Sequence, residues 1–238
     1  MSNRSLNVLY VGLSITNLLW AVSLVFDPGQ YVGKPVIPIL FAAIHIAAGL
    51  AILSRYRVYG GWLSVAVLTY YWLFVKPREP IAEPQSVGIL VISLILLLPH
   101  ISRLVNDNIP KWIPSILVRL GLAYPFFEWG LDAIRNPNHF RIYLEANPIT
   151  QPLTQAWDPR ILILVLGLFE ISLALLLASG LLIRIDALVA LGALIMFGLV
   201  ARYPLALPQD IALGAAAIFL LSEGPDTISA DYVLRRRF

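Results

Sequence analysis

The densest group of ionisable and aromatic side chains in the sequence is Glu128, Trp129, Asp132, Arg135 and His139. Glu128 and Asp132 are four residues apart, so on a helix their carboxylates share one face, which Trp129 borders. Pro125, just upstream, lacks the N–H that would close a helical hydrogen bond and favours a bend. At a membrane edge such a set forms a mouth for a quinone ring, a lipid or another amphipathic ligand, with His139 or Asp132 exchanging protons with water. The alternative is an ordinary helix end with solvated charges and an interfacial Trp. A second set is His45 and Glu170, each nine residues into an apolar run and so about 14 Å from its start, near the midplane of a bilayer. They form either an acid–imidazole pair or two separate polar centres able to relay protons or hold a polar head group. The structural alternative makes Glu170 a hydrogen-bonding contact between helices and packs His45 on the small face of Ala42, Ala48 and Gly49.

Other chemistries are set aside by residue type. There is no cysteine, hence no disulfide, thiolate nucleophile, covalent haem attachment or iron–sulfur cluster belonging to this chain. His45, His100 and His139 lie in different segments at no metal-ligand spacing, and the Glu-x-x-His pattern of di-iron bundles is absent. No Gly-rich phosphate loop or hydrolase elbow occurs in a suitable context. The sequence therefore nominates no catalytic residue and no metal ligand; the one cofactor in view is a noncovalently bound quinone.

These side chains must be held by elements that live in lipid. Of 238 residues, 59% are apolar and only 13% charged, and the mean hydropathy is +0.80; soluble domains are nearer 45 to 50% and 25%. That excludes a disordered chain and a nucleic-acid-binding domain, and leaves an all-α polytopic membrane protein. With a ruler of about 20 apolar residues, eight candidate spans appear, at 6–26, 36–54, 58–75, 86–99, 112–131, 161–183, 185–201 and 205–222. The fourth and eighth are short. The first is an uncleaved helix, too long for a signal-peptide core and without a small-residue cleavage site. Eight spans put both termini on one side, with nine basic residues there (Arg4, Arg55, Arg57, Arg103, Lys111, Arg184 and Arg235 to Arg237) against seven opposite. The excess of positive charge places the termini in the cytoplasm.

The two halves of the chain align. Gly12, Trp20 and Pro28 fall on Gly121, Trp129 and Pro137 at an offset of 109, and Ile46, Leu50 and Leu63 fall on Ile171, Leu175 and Leu188 at 125. Pro84-Gln85 falls on Pro208-Gln209 at 124, and His45 superposes on Glu170 at 125. The pattern predicts two four-helix bundles in tandem as parallel pseudo-repeats, 1–100 and 112–238, joined by a linker at 101–111. The 16-residue difference between offsets lies in a loop at 133–160. There Asn136 is expected to cap a short interfacial helix beginning at Pro137 and stopped by Pro148, followed by an irregular stretch through Pro152 and Trp157.

The second half shows Leu117-Val118-Arg119-Leu120-Gly121, then Asn136-Pro137-Asn138-His139-Phe140, then Gln209-Asp210-Ile211-Ala212-Leu213-Gly214-Ala215, and closes with Glu223-Gly224-Pro225-Asp226-Thr227-Ile228-Ser229-Ala230-Asp231. Over residues 115–233 it resembles the DoxX/DoxD-like family of small four-helix membrane proteins, the first half being a degenerate duplicate. The resemblance implies a membrane subunit associated with redox complexes, of the kind found in a thiosulfate:quinone oxidoreductase, in a prokaryotic inner or plasma membrane. Family members often carry a Lys shortly after the glycine of the first helix, where this chain has Leu131-Asp132-Ala133 after Gly130.

Three functions stay open. The first is a subunit of a redox or energy-converting electron-transport complex, structural or quinone-facing and not an oxidoreductase by itself, with protein partners and membrane lipid. The second is a small-molecule or ion transporter using His45 and Glu170. The third is a purely structural subunit of a respiratory or pigment–protein assembly.

Overall fold

A computed structural model of the chain describes residues 3–26, 36–74, 83–105, 109–110, 112–201 and 207–237. Pro28, Lys34, Lys76, Arg78, Lys111 and the Arg202-Tyr203-Pro204 run lie outside the described residues. Among the described residues every regular element is helical. The first half holds α1 (Asn3–Phe26), α2 (Val36–Ile52), α3 (Arg57–Phe74) and α4 (Glu83–Ser93), then a 3₁₀ turn at Leu94–Leu97 that leads into α5 (Leu98–Val105). The second half holds α6 (Trp112–Arg135), α7 (Pro137–Ala146), α8 (Gln151–Ala156), α9 (Pro159–Ser179), α10 (Ile183–Ala201), α11 (Leu207–Glu223) and α12 (Ala230–Arg237).

Each of the eight apolar runs lies largely within helix, and among the described residues four helical stretches are long and apolar enough to cross a membrane: Asn3–Phe26, Gln85–Val105, Pro159–Ser179 and Ile183–Val200. The second of these is longer than its run of apolar residues. Pro99 cannot donate to Ile95, and the chain meets that loss by tightening to 3₁₀ before it and continuing as helix to Val105, into the segment expected to be linker. The inserted segment is also more regular than expected, since 151–156 is helical. Asn136 stands at the start of α7, but its side chain donates to Asp132 Oδ1 at 2.8 Å instead of capping. Asn147 then anchors the segment to the bundle, its Nδ2 donating at 3.0 Å to the carbonyl of Val200 near the end of α10.

Within each half the helices pack in sequence, α1 on α2 on α3 on α4, and α6 on α9 on α10 on α11. Packing between the halves is extensive too: α1 runs along α11, and α4 along α6. Small residues permit these crossings. A Cβ on Gly121 would lie 2.7 Å from the carbonyl oxygen of Gly88 and 2.6 Å from Ile92 Cγ1. At the matching place in the α1–α11 crossing, a Cβ on Gly12 would lie 3.7 Å from Ala212 Cα and 3.3 Å from the carbonyl oxygen of Ile211. The α6–α9 contact is likewise backbone to backbone, with Gly130 facing Gly167. Close approach through glycine and alanine is how helices associate where lipid supplies no hydrophobic drive between them.

The closing sequence 223–231 ties one end of the second half. Gly180 ends α9 in the left-handed conformation (φ 70°), and its N–H donates to Leu176 O at 2.9 Å. Leu182, with φ 54°, is a non-glycine residue in the same region. Asp231 holds this turn by accepting from the N–H groups of Leu182 (2.9 Å) and Ile183 (3.1 Å) at the start of α10. Arg119, buried in α6, meets Asp226 from the same closing segment at 3.4 Å.

Candidate functional site

The first polar centre lies where α1, α2 and α3 converge. Asn17 and His45 are wholly buried. Asn17 Nδ2 donates to Leu13 O at 2.8 Å and to Ser64 Oγ at 3.3 Å. That orientation turns Oδ1, which can only accept, toward His45 Nδ1 at 2.9 Å. The proton of the neutral imidazole therefore resides on Nδ1, and Nε2 is left to accept from the Tyr71 hydroxyl at 3.3 Å. Trp20 and Tyr71 flank the ring, with centroids 5.4 and 5.8 Å away. His45 is thus satisfied on both nitrogens by residues of its own half.

Glu170 is as buried as His45, but its surroundings are different. Neither carboxylate oxygen has a hydrogen-bond partner among the described residues. Glu170 and His45 are two separate centres: the imidazole nitrogens are engaged by Asn17 and Tyr71, and the carboxylate has no share in that network. At the positions aligned with Asn17 and Tyr71 the second half has Phe126 and Met196, so it lacks the polar groups that would complete a matching network.

A third centre joins the halves. Asp210, in the first turn of α11, accepts at Oδ1 from Gln85 Nε2 of α4 at 2.9 Å, while its Oδ2 has no hydrogen-bond partner among the described residues. Thr16 of α1 donates to the neighbouring Pro208 carbonyl at 2.6 Å. Asn17, Ser64, Tyr71 and Gln85 are not among the candidate site residues read from the sequence, where Gln85 serves only to mark the repeat. Asn17 was the most legible of them, as a carboxamide in the middle of an apolar run.

At the end of α6 the expected mouth separates into inward and outward parts. His139 Nδ1 lies 2.9 Å from Asp132 Oδ2, and the pair is partly exposed. Glu128 is half-buried and Arg135 exposed. Trp129 is 5% exposed and turns into the bundle, edge-on to Phe126 and Phe197 with centroids 5.6 and 5.5 Å away. Overhead, α7 packs on α6 and α9. The outer faces of α9 and α10 are apolar and uncovered, with Leu164, Val165, Leu168, Leu188, Ile195 and Leu199 all between 47 and 60% exposed.

Uncovered apolar helices around buried polar centres define an all-α integral membrane protein. Residues 115–203, from the first turn of α6 to just past α10, match the DoxX family model. No curated protein and no solved structure matches the chain.

Proposed function

We propose that the chain is a non-catalytic membrane subunit of a redox or energy-converting assembly, presenting a quinone-facing or partner-facing surface at the far end of α6. The observation that carries this reading is the partly exposed Asp132–His139 pair beneath α7, next to wide apolar faces on α9 and α10. An imidazole and a carboxylate in contact at an interface exchange protons with water on one side and with a ligand or partner on the other. The DoxX match over the second half supports a membrane-subunit role. Purification in mild detergent, with identification of co-purifying chains and of extracted lipophilic cofactors, is the test. A redox-active partner or a bound quinone is expected, and Asp132→Asn should slow turnover of the isolated complex by about 10² or more if the pair relays protons. A chain that purifies alone with no extractable quinone removes this reading and the purely structural one together.

The same reading includes eight spans, related by duplication into two four-helix units, with both termini on the cytoplasmic face of a prokaryotic inner membrane. Its support is the paired crossings: Gly12 of α1 packs on α11, nearest to Ala215, and the aligned Gly121 of α6 packs on α4 at Gly88 and Ile92. Since the chain has no cysteine, single cysteines report topology cleanly. Asn3→Cys and Arg236→Cys should react with a membrane-impermeant maleimide only after permeabilisation, and Asn138→Cys in intact cells. The same sidedness for positions 3 and 138 would refute an odd number of spans between them.

A second reading, a small-molecule or ion transporter, has one observation in its favour: the buried carboxylate of Glu170, which has no hydrogen-bond partner among the described residues. The saturation of His45 by Asn17 and Tyr71 weighs against a shared His45–Glu170 path.

A further inference from the structure

A groove of about 710 Å³ runs between α1, α10 and α11, on a face of the bundle other than the end of α6. Its volume falls within the range of small-molecule sites, roughly 300 to 1,000 Å³. Its walls are almost wholly apolar, built from Val11, Ile15, Leu194, Ile195, Ile211 and Ile218 among others, and Asp210 is the one ionisable residue of its lining among the described residues. Asp210 is 8% exposed. Gln85 holds its Oδ1 from the α4 side, while Oδ2 faces α10: a Cβ on Gly198, which also lines the groove, would stand 3.3 Å from it. Oδ2 has no hydrogen-bond partner among the described residues. An unpaired acceptor in an apolar environment is costly unless something occupies it.

We infer that this groove binds a single-chain lipophile with a hydroxyl head, an alcohol or a phenol, whose hydroxyl pairs with Asp210 and whose chain lies along α1 and α11. A hydroxyl can donate to a carboxylate and accept from a carboxylic acid, so it satisfies Asp210 in either protonation state. A phosphate or fatty-acid head would bring like charge to Asp210 whenever that group is ionised, and among the described residues the lining offers no basic side chain to offset it. The length fits: from Asp210 to Ile218, the groove follows eight residues of α11, about 12 Å. Asp210 sits in the first turn of that helix, so the head would lie toward one membrane face with the chain directed inward. This inference is independent of the proposed redox role, since it uses none of the residues at the end of α6.

The test is photolabelling of the full chain in phosphatidylcholine nanodiscs with a diazirine-bearing straight-chain alcohol of about ten carbons, chosen to match the ~12 Å groove. Adducts are expected in residues 7–15, 191–199 and 211–218. Excess unlabelled decanol should suppress them, and at a pH that ionises Asp210 the methyl ether, which has no O–H to donate, and the ionised acid of equal chain length, which adds like charge, should be about tenfold weaker competitors. Asp210→Ala should erase the advantage of the alcohol over the ether. Gly198→Leu is the second variant: among the described residues a Cβ there meets only Asp210 Oδ2, so the new side chain enters the groove and covers that oxygen, and labelling should fall about tenfold. Adducts confined to other helices, an ether that competes as well as the alcohol, or full labelling of Gly198→Leu would each overturn the inference.

Discussion

Gly121→Val is expected to prevent the two halves from assembling. A Cβ at this position would fall 2.7 Å from the carbonyl oxygen of Gly88 and 2.6 Å from Ile92 Cγ1, so α4 and α6 must separate along their crossing. Overpacking of a tight contact typically costs 1 to 3 kcal/mol. Here the obstacle includes backbone, which cannot rotate away as a side chain can, so a loss of about 3 kcal/mol or more is expected. Thermal melting in detergent, followed by size exclusion, should show a large drop in the midpoint or no monodisperse protein. Gly192→Val is the matched control, because a Cβ at Gly192 meets nothing within 4 Å; its cost should stay within about 0.5 kcal/mol. Equal melting of the two variants would mean that α4 and α6 do not cross at Gly88 and Gly121.

The second large effect is expected at Asp226. Arg119 is 2% exposed, and its Nε and Nη1 have no hydrogen-bond partner among the described residues, so the Asp226 carboxylate at 3.4 Å is the main compensation for a buried guanidinium. Removing one member of a buried ion pair costs about 3 to 5 kcal/mol, because the other charge stays out of water and alone. Asp226→Ala should therefore be far more damaging than the double change Arg119→Met with Asp226→Ala, which removes both charges and retains an apolar chain of similar reach. A double-mutant cycle on the melting free energies measures the difference. If the double variant is as unstable as Asp226→Ala alone, the damage comes from lost packing of the closing segment and not from the stranded charge.

The helices were legible because lipid imposes a simple code: long apolar runs bounded by charges, prolines and small polar clusters. The code was least informative at proline. Pro99 and the charge at Arg103 read as an end to the fourth run, yet a single 3₁₀ turn at Leu94–Leu97 lets the helix continue to Val105. Asn136 misled in the opposite sense, since its carboxamide had a nearer use at Asp132 than at the helix end. Of the candidate site residues, the depth of His45 and Glu170 could be counted from the helix starts, and the proximity of Asp132 to His139 follows from a short turn after α6. What surrounds His45 could not be read in the same way. Asn17 and Tyr71 lie 28 and 26 residues away along the chain, and only the packing of α1, α2 and α3 brings them to the ring.

By itself, then, the sequence determined that the chain is helical and apolar, where its helices run, which ionisable groups fall inside them, and which family the second half resembles. These are local properties, set by residue type over windows of about 20 residues against a solvent that cannot hydrogen-bond the backbone. Tertiary structure decided which polar groups are paired and which are left bare. His45 and Glu170 occupy aligned positions, but the first is enclosed by Asn17 and Tyr71 while the carboxylate of the second has no hydrogen-bond partner among the described residues. Asp210 gained a partner 125 residues away in Gln85 and an open groove on its other side. Whether a buried polar atom is satisfied depends on the helix packed against it, and that contact is made across the fold, where no stretch of neighbouring residues records it.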